Sequence, residues 1–377
     1  MVESLAAFLA VLAILWALLW LKFRGSTGRV KVYPLLLIVR SGIKGEPLSG
    51  LPSRVLSGAG WFSVAVLLVA MAAFYYLAVT LFIRRYIAPP EGGGFTEGFV
   101  PLLPGVTIPL EELPLLLIPI GVAVLFHEVA HALVARATGV RVKDAGFILL
   151  AFIPGAFVEP DESELRRAPL TSRLKIYSAG VTANVILALL ALGALTLLAP
   201  TLYHGVLVLE VDRDMPAGIG GLEGGMVIVE VNGLRVKSVE DFMRVLEELG
   251  VKDRGRAVTL EVKVLHDGRE VTLNIVKPEG LDKLGVRVSQ SFSWGFIAMT
   301  IWLLFLINVA LALINAAPIV IPTPAGAIAS DGAHFLGDVV ARLLGEKAKY
   351  YIAPVIGLAT LLLVVSLITL TPIDLIP

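Results

Sequence analysis

Six long apolar stretches constrain the fold of this chain more than any other feature of its sequence. Crossing a bilayer takes about 20 apolar residues, because about 30 Å must be covered at about 1.5 Å per helical residue. Such stretches run over residues 4–20, 61–82, 113–134, 176–198, 292–314 and 352–370. Hydrophobic residues make up 57% of the chain and charged residues only 16%, values typical of membrane proteins rather than soluble domains. The sequence therefore predicts a polytopic α-helical membrane protein with about six spans.

Charge and cysteine content remove several classes of function. Lys plus Arg equals Asp plus Glu at 31 each, so the net charge does not favour nucleic-acid binding and we expect no nucleic-acid partner. The chain has no cysteine, which excludes disulfides, thiolate metal sites and cysteine nucleophiles. The first apolar stretch has Glu3 before it and Lys22 and Arg24 after it, so we expect a membrane anchor rather than a cleaved signal peptide.

Basic residues in the short loops orient the predicted spans. The loop after the first span carries six of them, from Arg24 to Arg54, against Glu46 alone. The loop after the third span and the final short loop are basic as well. Because short cytoplasmic loops carry an excess of Lys and Arg, we expect these loops in the cytoplasm. Alternation of the spans then places residues 201–290 on the extracytoplasmic side of the cell membrane.

Residues 203–290 differ in kind from the rest of the chain. Segments 205–211, 224–233, 258–265 and 271–276 read as β-strands, and segment 239–249 reads as an amphipathic helix. Their order resembles a circularly permuted, bacterial type of PDZ domain. The sequence thus predicts an inserted small α+β PDZ-like domain. Residues 203–206 resemble the loop that binds a peptide carboxylate, so a PDZ ligand peptide, held by strand addition, is an expected partner.

The third predicted span carries the motif His127-Glu128-x-x-His131. Histidines at i and i+4 lie about 40° apart around the helix axis, so both can reach one tetrahedral metal ion. The glutamate between them can take a proton from water at that metal. Three ionisable groups within five positions of a span are costly unless paired, coordinated or hydrated. The pattern indicates a catalytic zinc site. The alternatives are side chains satisfied by neighbouring helices and the ion site of a transporter.

Two histidines require a third protein ligand if one position is to stay open for water. His204 and His266 belong to the predicted extracytoplasmic domain and are poor candidates. A later segment, D-G-A-H at residues 331–334, offers a carboxylate. The ordered combination of H-E-x-x-H, an inserted PDZ-like domain and D-G-x-H resembles the site-2 protease family of intramembrane zinc metalloproteases. The resemblance covers roughly residues 113–340.

This resemblance implies roles for individual residues. His127 and His131 match the histidine ligands, and Asp331 matches the aspartate ligand. Glu128 matches the general base. Asn184, in an A-G-x-x-x-N element, would face the metal and stabilise the oxyanion or orient substrate. The alternative for Asn184 is an interhelical hydrogen bond, which a lone polar residue in a span often makes.

Two further segments bear on the site. Residues 146–158 are apolar but too short to span, and they resemble the family's non-helical, re-entrant piece beside the active site. The Pro-rich residues 319–330 separate N-x-x-P from D-G, which departs from the family and rules out a continuous helix. This spacer leaves Glu159 and Asp338 as competitors for the third ligand position, with His334 in a supporting or structural role.

The sequence therefore predicts a Zn²⁺-dependent intramembrane endopeptidase acting on single-span membrane proteins. We divide the chain into N-terminal membrane helices (1–112), a catalytic core (113–200), the PDZ-like domain (201–290) and C-terminal membrane helices (291–377). The rival functions are an inactive membrane scaffold that binds through its PDZ module and a metal transporter. A scaffold has no need of Glu128, and a transporter would favour carboxylates or histidines repeated on several spans.

Overall fold

The fold is described from a computed structural model. It covers residues 2–23, 28–33, 35–42, 44–45, 53–89, 97–104, 106–323 and 326–370. The chain divides into two compact units, one formed by Met1–Gly193 with Met299–Pro377 and the other by Ala194–Ala298. The domain boundaries expected from the sequence stay predictions.

The chain contains helices and strands, several of which follow others of the same kind. The helices are α1 (Val2–Phe23), α2 (Ser53–Phe82), α3 (Leu113–Ala137), α4 (Glu162–Arg167), α5 (Leu170–Leu202), α6 (Pro216–Ile219), α7 (Val239–Glu248), α8 (Phe296–Ala316), α9 (Asp331–Leu344) and α10 (Glu346–Ser366). The strands are β1 (Val30–Tyr33), β2 (Leu36–Arg40), β3 (Val142–Leu150), β4 (Ile153–Pro160), β5 (Tyr203–Val211), β6 (Val227–Val231), β7 (Leu234–Arg235), β8 (Val258–His266), β9 (Arg269–Lys277), β10 (Val286–Phe292), β11 (Val320–Thr323) and β12 (Gly326–Ala329).

Five helices of the described chain are long and apolar enough to cross a membrane. They are Gly60–Ile87, Leu113–Ala137, Leu170–Leu202, Phe296–Ala316 and Glu346–Ser366. At most 28% of each apolar window is buried inside the protein, so most of the window faces outward, as expected of helices in lipid. Five of the six predicted spans overlap these helices, with ends that differ by up to a few residues. The first predicted span lies in α1, whose apolar part Leu9–Phe23 is shorter, so the count of six stays a prediction.

Helices α2, α5, α8 and α9 pack around a common core. It joins Leu67 of α2, Val181 of α5, Ala316 of α8 and Phe335 of α9, each nearly or fully buried. Small residues such as Ala316 allow helix backbones to approach closely, which is how membrane helices associate without a hydrophobic driving force between them. This packing brings α5 and α9 to the same part of the bundle, where the candidate site lies.

A four-stranded antiparallel sheet, in the order β1-β2-β3-β4, belongs to the same unit. Strands β3 and β4 correspond to the segment expected to be non-helical, and they form a hairpin. Trp16 of α1 donates its indole N–H to the carbonyl oxygen of Ala151 at the hairpin turn, at 3.1 Å. Strands β1 and β2 lie in the segment that the sequence suggested only as a basic loop, and β2 pairs with β3. The re-entrant piece is therefore part of a sheet rather than an isolated loop.

The unit Ala194–Ala298 contains the strands predicted for residues 203–290. Its sheet has the order β10-β5-β6-β8-β9, with β7 added to β6. The two-residue turn Asn232-Gly233 between β6 and β7 has positive φ at both positions, 49° and 80°, as the predicted Asn-Gly hairpin turn requires. Ser238 caps α7 in a capping box, and Phe242 of α7 is buried in the core. Sheet and helix fit a PDZ-like domain.

Strand β5 of this unit is hydrogen-bonded along both edges. β10 pairs with it from Tyr203 to Val211, and β6 pairs with it at Val206 and Leu207. The side chain of Gln290 in β10 donates to the Gly205 carbonyl oxygen at 2.9 Å. Both edges of β5 are therefore occupied by strands of this unit, and the expected binding of a PDZ ligand peptide stays a prediction. The sequence did not predict β10, because its pairing partner β5 lies some 80 residues earlier in the chain.

Candidate metal centre and active site

Helix α3 presents both histidines of the H-E-x-x-H motif to one point. Their Nε2 atoms lie 3.2 Å apart. His131 donates from Nδ1 to the carbonyl oxygen of Ile176 at 2.8 Å, and the Nδ1 of His127 lies 2.5 Å from Oδ1 of Asn184. With each Nδ1 proton held by an acceptor, each ring turns an unprotonated Nε2 to the shared point. This tautomer is the one that metal-binding histidines adopt.

Asp331 reaches the same point from the first residue of α9. Its Oδ2 lies 3.3 Å from the Nε2 atom of His127 and 3.3 Å from that of His131. The described part of the Pro-rich spacer before it is not helical: it contains β11 and β12, which pair antiparallel. Ser330 closes that pair of strands, since its N–H donates to Ile319 and its Oγ accepts from the N–H of Ile319, both at 3.0 Å. The two ends of the spacer are thus held together next to Asp331.

The residue after Asp331 must be small, because the backbone of another helix lies against it. A Cβ at Gly332 would collide with the backbone carbonyl of Ala316, the last residue of α8. Only glycine lets the start of α9 lie this close to the end of α8. Gly332 therefore fixes where Asp331 stands relative to the helix bundle.

The three side chains fit a metal ion. A tetrahedral zinc with bonds of about 2.0–2.1 Å separates neighbouring ligand atoms by about 3.3 Å, and the observed separations are 3.2, 3.3 and 3.3 Å. The Oδ2 atom of Asp331 is buried and has no hydrogen-bond partner among the described residues. Three electron pairs directed at one another repel unless a cation lies between them. Within the described chain these are the residues that form a group able to hold a metal.

A glycine of α5 leaves the room that such an ion needs. A Cβ at Gly180 would collide with the Nε2 atoms of both His127 and His131. Gly180 is the glycine of the A-G-x-x-x-N element, so this part of the pattern has a direct steric meaning. The space opposite the two ring nitrogens is open because α5 has no side chain there.

Glu128 lies between the two histidines in sequence and beside strand β4 in space. Its Oε2 accepts a hydrogen bond from the backbone N–H of Val158 at 2.9 Å. Glu128 lines the same cavity as both histidines and Asp331. The contact joins the predicted general base to the hairpin that the sequence placed beside the active site.

Asn184 is not directed at the metal point. It is fully buried, its Oδ1 faces Nδ1 of His127, and its Nδ2 donates to Oδ1 of Asn308 at 2.8 Å. Nδ2 also lies 3.3 Å from the carbonyl oxygen of Ala123. Both ends of the amide are thus engaged in contacts between helices, the second of the two alternatives that the sequence left open for Asn184, and its role in the site stays a prediction. Asn308, which the sequence reasoning missed, could have been found in the sequence as an amide side chain inside a predicted span.

The competitors for the third ligand position have other partners. Asp338 is 3% exposed and forms ion pairs with Nε of Arg173 at 2.7 Å and Nζ of Lys349 at 2.6 Å. Glu159 forms ion pairs with Arg40 at 2.9 Å and with Lys143 at 3.6 Å. His334 stacks on the ring of Tyr177, with 5.5 Å between the ring centroids. None of these contacts involves the metal point.

A cavity of about 780 Å³ contains the site. We call one group of lining residues the metal end: His127, Glu128, His131 and Asp331. We call a second group the ion-pair end: Arg173, Asp338 and Lys349. Helix α4 also lines the cavity. The Asp161 carboxylate caps the N-terminus of α4. Hydrogen bonds from the Ser163 hydroxyl and the backbone N–H of Glu164 hold the pKa of Asp161 below its usual value. Charged groups thus line a route from the metal end towards the surface.

Comparisons with known proteins agree with this site. The sequence profile of peptidase family M50 matches residues 115–364, which include the H-E-x-x-H helix and Asp331. An uncharacterized protein of Methanocaldococcus jannaschii is 31% identical over 258 residues, 68% of this chain and 62% of that protein. A membrane-bound transcription factor site-2 protease homolog of Arabidopsis thaliana is 27% identical over 188 residues, 48% of this chain and 36% of that protein. The matched regions therefore span less than two thirds of either relative.

Among solved structures, one match covers part of this chain. The PDZ domain of an SdrC-like protein from Listeria monocytogenes is 24% identical and covers 23% of this chain and 88% of its own, with a TM-score of 0.19. A likeness at this level carries no functional argument.

Proposed function

Since this chain belongs to peptidase family M50, the site-2 protease family, we propose that it is a zinc-dependent intramembrane endopeptidase. One observation carries the proposal: His127, His131 and Asp331 converge within 3.3 Å of one another beside Glu128, in a bundle of membrane-type helices. A transporter would use such a group to pass an ion on. A base beside the ligands and a strand edge next to that base instead suit the hydrolysis of a peptide.

The residues at the metal end have separate tasks. His127, His131 and Asp331 would hold the zinc, leaving one position for water or substrate. Bound zinc would supply a Lewis acid for the scissile carbonyl and a water molecule of lowered pKa. Glu128 would take a proton from the attacking water and deliver it to the leaving amine, the task of a general acid–base group. The hydrogen bond from Val158 keeps the Glu128 carboxylate beside β4.

We propose that the substrate binds as a strand along β4. Among the described strands β4 ends the sheet, so its outer edge has no strand partner. The N–H of Val158 points away from β3, to Glu128. Residues of an antiparallel strand alternate in direction, so the N–H and C=O of Ala156 also point outward, about 7 Å away. A peptide paired with Ala156 would be extended and would run directly past the general base.

This binding mode restricts the substrate class. The peptide bonds of a helix are shielded by its own hydrogen bonds and side chains, so a membrane-spanning substrate must unwind before it pairs with β4. Single-span membrane proteins are the proposed substrates, because one helix can enter such a bundle without bringing others. The PDZ-like unit is proposed to regulate access, with a peptide competing against β10 for β5.

The proposed extracytoplasmic side of the PDZ-like unit rests on loop charge. The chain has no cysteine, so one introduced residue gives a unique label. Lys252→Cys, at an exposed position of this unit, should react with a membrane-impermeant thiol reagent in intact cells. Arg166→Cys, 77% exposed in a predicted cytoplasmic segment, is the control and should react only after lysis. The reverse pattern would overturn the orientation.

Cleavage with and without metal tests the function itself. Purified full-length protein in detergent is incubated with a panel of single-span membrane proteins, with a chelator and after zinc is restored. We expect at least one substrate to be cut within its membrane segment, cutting to stop with the chelator, and zinc to restore it. Cleavage that continues in the chelator would exclude the metal mechanism, and no cleavage of any panel member would favour the scaffold.

A further inference from the structure

A chain of two buried amides connects helix α8 to the metal end. Asn184 and Asn308 are each fully buried, on α5 and α8. Nδ2 of Asn308 donates to the carbonyl oxygen of Leu304 at 2.7 Å, and Oδ1 of Asn308 accepts from Nδ2 of Asn184 at 2.8 Å. Oδ1 of Asn184 then lies 2.5 Å from Nδ1 of His127.

The direction of this chain follows from its anchors. A carbonyl oxygen can only accept, so Asn308 must turn its NH₂ to Leu304 and its oxygen to Asn184. Asn184 must then turn its NH₂ to Asn308, and the Ala123 carbonyl oxygen at 3.3 Å requires the same orientation. The oxygen of Asn184 is left facing the ring of His127. Nδ1 must carry the proton there, which leaves the electron pair of Nε2 for the metal.

We propose that Asn308 is a positioning residue that fixes the metal-binding tautomer and ring orientation of His127 through Asn184. Without Asn308, the amide of Asn184 would keep one anchor, the longer contact to Ala123, and its reversed orientation would compete. A reversed amide would present NH₂ to Nδ1 of His127 and favour the proton on Nε2. In that tautomer Nε2, the atom at the metal point, has no electron pair to give to a metal. The two asparagines therefore act as one unit.

Zinc affinity in a double-mutant cycle tests this unit. Full-length protein in detergent is titrated with Zn²⁺ against a chromophoric chelator, for Asn308→Leu, Asn184→Leu and the double variant. Loss of a group that orients a metal ligand weakens metal binding by about 10–100-fold. We expect that range for Asn184→Leu and about 10-fold for Asn308→Leu. The double variant should bind like Asn184→Leu alone, because Asn308 has nothing left to orient.

The control variant is Thr182→Val. Thr182 is buried on the same helix as Asn184, and its hydroxyl bonds the carbonyl oxygens of Ser178 and Ser63, away from the histidines. It should keep the wild-type zinc affinity. Wild-type affinity in Asn308→Leu, or an Asn308→Leu penalty of the same size in the Asn184→Leu background, would overturn the proposal. The second result would mean that Asn308 only supports packing.

A measurement on the unchanged protein covers the case in which a variant fails to fold. In zinc-loaded protein labelled with ¹⁵N-histidine, the His127 ring should show a protonated Nδ1 whose proton is protected from exchange.

A second measurement uses the variants. The visible spectrum of the Co²⁺-substituted protein should change in Asn308→Leu and stay unchanged in Thr182→Val. An Nε2–H ring at His127, or identical cobalt spectra in all variants, contradicts the assignment.

Discussion

Asp331 and Asp338 lie seven residues apart on α9, line the same cavity and are both largely buried, but different groups surround them. Asp338, at the ion-pair end, has a cation on each oxygen, from Arg173 and Lys349. Asp331, at the metal end, faces two ring nitrogens whose protons are held elsewhere. A buried carboxylate needs compensating charge. The ion pairs with Arg173 and Lys349 supply that charge to Asp338, and a bound cation would supply it to Asp331.

The groups around a buried carboxylate indicate whether it stabilises the fold or could bind a metal. Helical position and burial do not separate the two aspartates, because seven residues return to nearly the same helix face. The neighbouring groups separate them: two cationic side chains contact Asp338, and the ring nitrogens of two histidines face Asp331. Variants at each end should therefore differ in kind, one set losing metal and the other losing stability.

The largest expected difference is in zinc binding. A zinc site worth about 10–16 kcal/mol, shared among its ligands, should lose on the order of 10³-fold in affinity when one ligand is removed. We expect that loss in Asp331→Ala. Asp338→Ala and Glu159→Ala should keep their zinc, because neither side chain touches the metal point. Zinc is measured by elemental analysis after gel filtration, with folding checked separately. Full zinc occupancy in Asp331→Ala would refute the assignment of the third ligand.

A methyl group at Gly180 should have nearly as large an effect. The Cβ of Gly180→Ala would press against Nε2 of both His127 and His131, where the ion must lie, so we expect a loss of about 10²-fold or more in zinc affinity. Gly193→Ala on the same helix is the matched control, because nothing lies within 4 Å of its Cβ. Equal zinc affinity in the two variants would mean that the metal does not lie against α5.

Glu128→Gln separates chemistry from binding at the metal end. The amide keeps the shape of the side chain but cannot take a proton, so peptide cleavage should fall by about 10²-fold or more. Zinc affinity should change little, because Glu128 is not among the ligands. Cleavage rate and zinc content are measured on the same preparation. Undiminished cleavage in this variant would exclude Glu128 as the base.

The smallest expected effect belongs to the ion-pair end. Asp338→Asn should keep zinc and lower the free energy of unfolding by about 1–3 kcal/mol. That is less than the 3–5 kcal/mol of a fully buried pair, because the side chain of Lys349 is 38% exposed. Chemical denaturation in detergent measures it. Glu162 forms an ion pair with Arg166 in which about three quarters of each side chain is exposed, so Glu162→Gln should leave the free energy of unfolding unchanged. Zinc loss in Asp338→Asn with normal stability would erase the distinction between the two ends.

Some of this architecture could be predicted from the sequence, for physical reasons. The bilayer requires long apolar helices, and five of the expected spans correspond to helices of suitable length. The motif spacing of His127 and His131 fixes their common direction on any helix. Recognition of the family followed from the order of the motifs, and the M50 match confirms it.

Other features depended on contacts that local sequence does not encode. Strands β1 and β2 are short, and β2 pairs with β3 more than 100 residues later, so no periodicity within the loop reveals them. The Pro-rich spacer made the position of Asp331 uncertain until its paired strands were seen to close at Ser330. The contact between Asn184 and His127 joins two helices, so the sequence could present it only as one of two alternatives.

The zinc K-edge X-ray absorption spectrum of the full-length protein would show which atoms bind the metal. With one zinc bound per chain, we expect a four-coordinate shell with two imidazole nitrogens at about 2.0–2.1 Å and the remaining ligands oxygen. His127, His131 and Asp331 would supply the protein part of that shell. A shell of six oxygens without imidazole scattering, or a folded protein that binds no zinc, would rule out the proposed metal site.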